Sequence, residues 1–206
     1  MKKTTLSKLM LIMPALLFAL TAFSCGRDKT GKSEFKNKML SDFTAEIDYL
    51  IDLDENPISG TAVITKGEKL RIDIESPDPY SGISVECDAA GEADVISISY
   101  SGIKADVPRN AMEKVVFLMN MMSERTACEL DNKSGKDFIM CPEQYVSEAL
   151  PMAVPYEVSL SYDDTEYMFI YDSVTGAPLE IFADNGYCRA EIKVRKMTDK
   201  QSDSEE

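Results

Sequence analysis

The chain has 206 residues, of which 22 are Lys or Arg and 36 are Asp or Glu, giving a net charge of −14 with no histidine at all. That balance excludes a protein that binds nucleic acid by neutralising phosphates. The absence of histidine also removes the Ser-His-Asp and Cys-His routes to an activated nucleophile.

The first element is an export signal. Lys2, Lys3 and Lys8 make a basic start, an apolar run extends from Leu9 to Phe23, and Ala22-Phe23-Ser24-Cys25 precedes a polar stretch. This is the layout of a secretory signal, cut between Ser24 and Cys25. The apolar run is too short for a permanent span, which needs about 20 apolar residues. A cysteine directly after the cut resembles the lipobox of bacterial lipoproteins, which implies acylation of the Cys25 thiol and an anchor on the outer face of the cell membrane, or facing the periplasm in a two-membrane envelope. Removing residues 1–24 leaves 182 residues and takes away three lysines, so the charge falls from −14 to −17. A chain so acidic is expected to be held at a membrane by acyl chains and not by a basic patch.

Residues 25–40 follow as an expected flexible tether, since Gly26 to Lys38 is dominated by Lys, Gly, Ser and Asp. The folded domain is placed at 41–197 and a disordered acidic tail at 198–206. Within the domain the dominant period is two. Phe43, Ala45, Ile47, Tyr49 and Ile51 alternate with Thr44, Glu46, Asp48 and Asp52, a strand with one apolar and one wet face. Further strands are expected at Gly60–Ile64, Leu70–Ile74, Ile83–Cys87 and Val95–Tyr100. A second block is expected at Tyr156–Tyr162, Tyr167–Tyr171, Leu179–Ala183 and Ala190–Val194, with Asp163-Asp164-Thr165 and Asp184-Asn185-Gly186 as turns.

Two helices are predicted between the blocks. Asn110 with Glu113 suggests a capped start, and Met112, Val115, Val116, Leu118, Met119, Met121 and Met122 leave little of the helix polar, so it should be buried on most sides. A shorter helix is expected from Glu143 to Leu150. Core packing is the simpler reading of the methionines, although a thioether also adapts well to varied ligands. Cys87, Cys128, Cys141 and Cys188 are an even set in an exported chain, and of three possible pairings the spacing favours Cys128–Cys141 around a polar turn, with Cys87–Cys188 by default. No metal-ligand spacing, phosphate loop or cofactor motif appears, and Pro57 spoils the start of a calcium loop at Asp52.

Three stretches resemble the LolA-like half-barrel proteins of the bacterial envelope, which include lipoprotein carriers and lipid-binding lipoproteins. They are Ser59-Gly60-Thr61, then Leu70-Arg71-Ile72-Asp73-Ile74-Glu75-Ser76-Pro77, then Asp172-Ser173-Val174-Thr175-Gly176-Ala177-Pro178-Leu179. The resemblance implies an α+β fold, a strongly curved antiparallel sheet with one or two helices in its concave face around an apolar cavity. On that reading Phe43, Ile47, Tyr49 and Ile72 of the sheet, with Met112, Val116 and Met119 of the helix, are the candidate ligand-binding residues. A lipid, lipopeptide, lipoprotein or other apolar molecule is the implied ligand. The soluble carriers of that family lack an acyl anchor and place an arginine after the Ser-Gly-Thr strand, where this chain has Lys66-Gly67, so a fixed receiver, sensor or scaffold is expected in place of a shuttle. The alternative is a cell-surface structural or protein-interaction module without a small-molecule ligand. No catalytic residue, metal, cofactor or nucleic acid is expected, and the oligomeric state is left open.

Overall fold

The structure, a computed structural model, describes residues 30–53, 56–90, 94–141 and 153–199. The signal, Ser24, Cys25, the Glu143–Leu150 helix and residues 200–206 of the expected tail lie outside the described residues.

Eleven strands form one antiparallel sheet: β1 (Phe43–Leu53), β2 (Asn56–Lys66), β3 (Lys69–Ile74), β4 (Ser84–Asp88), β5 (Val95–Tyr100), β6 (Ile103–Pro108), β7 (Phe138–Met140), β8 (Pro155–Tyr162), β9 (Thr165–Asp172), β10 (Pro178–Asp184) and β11 (Cys188–Asp199). Their order across the sheet is β6-β5-β4-β3-β2-β1-β11-β10-β9-β8-β7. Two meanders are therefore joined where the first and last strands pair, Ile47 opposite Val194 and Leu53 opposite Cys188. The edges β6 and β7 do not meet, so the sheet is an open half-barrel. The β8–β9 hairpin closes on Asp163 and Asp164, both at positive φ (52° and 56°), the geometry that matches a hairpin's right-handed twist.

The alternation read from β1 is what the fold uses. Phe43, Ala45, Ile47, Tyr49 and Ile51 are buried on the concave face with Ala62, Ile64, Leu70, Ile72, Val85, Phe169, Ile181 and Ile192. Helices cover that face: α1 (Lys32–Leu40), α2 (Glu113–Asn120) and α3 (Glu124–Glu129), with α2 entered through a single 3-10 turn at Arg109–Met112. Val116, Phe117, Leu118, Met119, Met121 and Met122 are all buried, so the apolar run does pack on most sides.

Several expectations are corrected. Residues 32–40, expected as tether, form α1, and its Phe35 and Met39 are fully buried because an i, i+4 apolar pair faces the sheet. Thr198 and Asp199, expected in the tail, extend β11 opposite Thr44 and Phe43. Asn110 does not cap α2; it sits inside the 3-10 turn, and the residue before the helix is Met112 with no side-chain cap. The helix of the apolar run stops at Asn120, short of Met121 and Met122, where Ser123 and Thr126 turn their hydroxyls onto the Asn120 carbonyl at 2.9 and 2.7 Å. Ser123 then caps α3 by accepting from the Thr126 amide.

Among the described residues, Cys87, Cys128, Cys141 and Cys188 are free thiols. A disulfide needs Cα atoms within about 7 Å, and the sheet keeps both expected pairs apart. Cys87 stands opposite Leu70, in the ladder that leads through Lys66 to Phe43, whereas Cys188 stands opposite Leu53 at the far end of β1. Cys128 is exposed on α3 over the concave side. Cys141 is buried with Ile170 and Leu179 in a separate small cluster that excludes the concave core.

Candidate functional site: an apolar cavity under the second helix

The two early motifs form the wall of a cavity by locking onto one another. The Thr61 amide donates to Ser76 Oγ at 2.8 Å, and the Thr61 carbonyl accepts from the amides of Glu75 and Ser76 at 2.9 and 3.1 Å. Gly60 lies so close beneath this crossing that an added Cβ would fall 2.0 Å from the Ser76 carbonyl oxygen. The Tyr49 hydroxyl donates to the same carbonyl at 2.8 Å. Burial, helped by the neighbouring Tyr80 phenol, pushes the Tyr49 hydroxyl above its ordinary pKa.

Between this wall and α2 lies a cavity of about 400 Å³. Its walls are Ile51, Ile58, Ile72 and Ile74 from the sheet, Ile83 from the link before β4, and Met112, Val115 and Leu118 from the helical side. Tyr80, Asn110, Ala111 and Glu113 are exposed and mark its mouth, with Lys114 beside them. The volume lies within the range of small-molecule sites, about 300–1,000 Å³. An apolar hollow with a few polar groups at one opening suits a hydrocarbon inside and a polar head at the rim. Among the described residues no group of three or more cysteine, aspartate and glutamate side chains gathers as a metal site.

Of the seven residues expected to bind ligand, Tyr49, Ile72 and Met112 line this cavity. Val116 lines a second, more polar cavity of about 590 Å³ with Asp94, Arg109, Asn120, Asp163 and Asn185. Phe43, Ile47 and Met119 are fully buried and line neither cavity. The methionines divide the hollow: Met119, Met121 and Met122 fill one part, and the part beneath Ile72 and Ile74 stays open.

Lys66 is the residue that sequence reasoning missed. It is completely buried, its ammonium donates to the carbonyls of Leu40 and Ser41 at 2.7 and 3.2 Å, and Glu124 stands 3.2 Å away. It thus holds the C-terminal end of α1, where a cation is favoured by the exposed carbonyls, to the start of α3. The period already placed it inward, since Ala62, Ile64 and Lys66 share one face of β2.

The third motif ties α1 to the sheet. Asp172 is 3% exposed and accepts from the amides of Val154, Val174 and Thr175 and from the Thr175 hydroxyl at 3.0, 3.2, 3.1 and 2.6 Å. Burial works to raise its pKa, and these four donors outweigh it, so the carboxyl is held below its ordinary value. Gly176, at φ 72°, lies where a Cβ would sit 2.3 Å from the Glu34 backbone of α1.

No family model and no curated protein sequence matches the chain. Solved structures do show likeness. An uncharacterised conserved protein from Thermus thermophilus superposes over 82% of this chain and 84% of its own, with 9% identity and a TM-score of 0.46. A LolA superfamily protein from Nitrosomonas europaea covers 86% and 95%, with 7% identity and a TM-score of 0.38. The lipoprotein LppX of Mycobacterium tuberculosis covers 81% and 92%, with 6% identity and a TM-score of 0.42. The architecture of this chain is an open antiparallel sheet with helices packed against one face. At these overlaps the likeness says nothing about ligand or activity.

Proposed function

We propose that this chain is an exported lipoprotein, held at a bacterial membrane through Cys25, whose half-barrel binds the hydrocarbon part of a lipid or lipopeptide. The observation that carries the reading is the cavity of about 400 Å³ beneath α2, walled by five isoleucines, a methionine, a valine and a leucine. Each buried methylene contributes about 0.8 kcal/mol, so a chain of ten would gain roughly 8 kcal/mol before ordering costs. The export signal and the cysteine after its cut support the location. Tyr80, Asn110 and Lys114 are the groups available to a polar head at the mouth.

The test is to purify the chain from host membranes, extract bound lipid under native conditions and weigh protein and extract by mass spectrometry. A stoichiometric acyl compound beyond the one on Cys25 is expected. A protein that carries none, and that takes up no fatty acid or lysophospholipid after delipidation, returns the assignment to an interaction module. The open β6 edge, with Ile103 73% exposed, would then be the surface to pursue.

A further inference from the structure

The chain enters the fold at one end of the sheet. The Tyr171 hydroxyl donates to the Thr30 carbonyl at 2.7 Å, and an added Cβ at Gly31 would lie 2.1 Å from the Ser173 carbonyl oxygen. The entry point is therefore fixed against the turn between β9 and β10. Around it stand apolar side chains that the fold leaves in solvent: Val174 is 54% exposed, Val154 39% and Met140 65%, while Ile139, 63% exposed, lies on the other face of β7. They are neighbours through the backbone, since the Ser173 amide donates to the Val154 carbonyl at 3.0 Å and the Cys141 amide to the Pro155 carbonyl at 2.9 Å. Lysines border the cluster. Lys32 lies 5.5 Å from the centre of the Phe138 ring and donates to the Lys133 carbonyl, and Lys136 is exposed in the same loop. The same loop carries exposed Asp131 and Asp137, so the border of the cluster is mixed in charge.

We infer that this end is a membrane-docking face, which lies on the bilayer surface that holds Cys25. The inference rests on the anchored reading given above. Residues 26–29 alone separate Cys25 from Thr30, so five steps of at most about 3.6 Å set the longest reach at roughly 18 Å. An acyl group at Cys25 thus keeps Thr30, and with it Val174 and Val154, within that distance of the headgroups. Exposed apolar side chains held there gain by entering the interface, and the acyl anchor holds the acidic chain against the surface. The opposite ends of the same strands carry Tyr187, 82% exposed, in the turn between β10 and β11.

The full chain, processed by its host, tests this in a Cys128→Ser background, which removes the exposed thiol. An environment-sensitive fluorophore is placed at Val174→Cys, at Met140→Cys or at Tyr187→Cys, and each protein is reconstituted into phosphatidylcholine vesicles containing a headgroup spin-labelled lipid. Loss of emission is expected at Val174→Cys and Met140→Cys, and unchanged emission at Tyr187→Cys. Equal quenching at both ends overturns the docking. So does no quenching at Val174→Cys, the result if residues 142–152 or a protein partner covers the patch. The intact mass separates the two readings: an unmodified Cys25 overturns the anchor and the docking with it, whereas an acylated Cys25 with an unquenched Val174→Cys label overturns the docking alone.

Discussion

Cys128 is exposed on α3, while Cys87, Cys141 and Cys188 are buried. Burial, with Asp88 nearby, pushes the Cys87 thiol to about 11 against a smaller opposing pull from Arg109. Burial and the Glu157 carboxylate push Cys141 to about 11 as well. Burial raises Cys188 too. Only the thiolate attacks a maleimide or a disulfide reagent, so at pH 8 two of these groups would be roughly a thousandfold short of reactive form even if reached. One thiol among these four should therefore react quickly in the native protein, and all four after denaturation, counted by mass shift. Two disulfides would give none in either state. The spacing of Cys128 and Cys141 around a polar turn invites a bridge, yet the faces on which they lie decide the outcome, and a face depends on partners that spacing does not name. Lys66 is the opposite case. Its inward position was legible from Ala62 and Ile64, but a lysine at the end of a strand followed by glycine reads as a turn until the carbonyls of Leu40 and Ser41 are placed beside it.

At the scale of elements, the strands with one buried face were legible and those without were not. β1 shows its register in its own sequence, whereas β6 is exposed along nearly its whole length and is held by backbone pairing to β5, so it carries no alternating burial to read. α1 was missed for a related reason: four charged residues, a serine and an asparagine surround Phe35 and Met39 between Thr30 and Leu40, and composition outweighed one apolar pair. Yet Phe35 stacks on Tyr171 with centroids 4.2 Å apart and lies 5.6 Å from Phe169. Truncating a buried aromatic costs about 3–5 kcal/mol, whereas an exposed ion pair contributes about 0–1. Phe35→Ala should therefore lower the urea midpoint strongly with little change in the slope, and Lys36→Ala, which loses the pair with Asp131, should barely move it. A chain that begins at Ser41 should be less stable than one that begins at Gly26. Equal midpoints for those two chains would return residues 32–40 to the role of spacer.

For the whole molecule, the half-barrel has its chain entry and its cavity mouth at different ends of the ladder. Gly31 rests on the turn that precedes Pro178, at the end of the sheet where Phe43 pairs with Asp199. Tyr80 stands in the link between β3 and β4, beyond Ile74, and Ile58 pairs with Ile51 near the other end of β1. A domain anchored by its entry end would thus offer its cavity to a ligand arriving from the aqueous side. The size of the cavity then sets a measurable limit. At about 0.8 kcal/mol per methylene, affinity for fatty acids should rise roughly fourfold with each added carbon while the chain is being buried. A methylene is about as large as a water molecule, whose share of the liquid is about 30 Å³, so a cavity of about 400 Å³ takes roughly a dozen. Beyond that length the added carbons protrude and the rise should stop. Calorimetric titration of a series of saturated fatty acids would show that break, together with a negative heat-capacity change from apolar burial. Ile83→Trp, at a half-buried wall position near the mouth, should move the break to shorter chains. Hydrocarbon adsorbed on the exposed patch of Val174 and Met140 would instead gain steadily with length and be indifferent to Ile83, so the break and its displacement together assign the binding to the cavity.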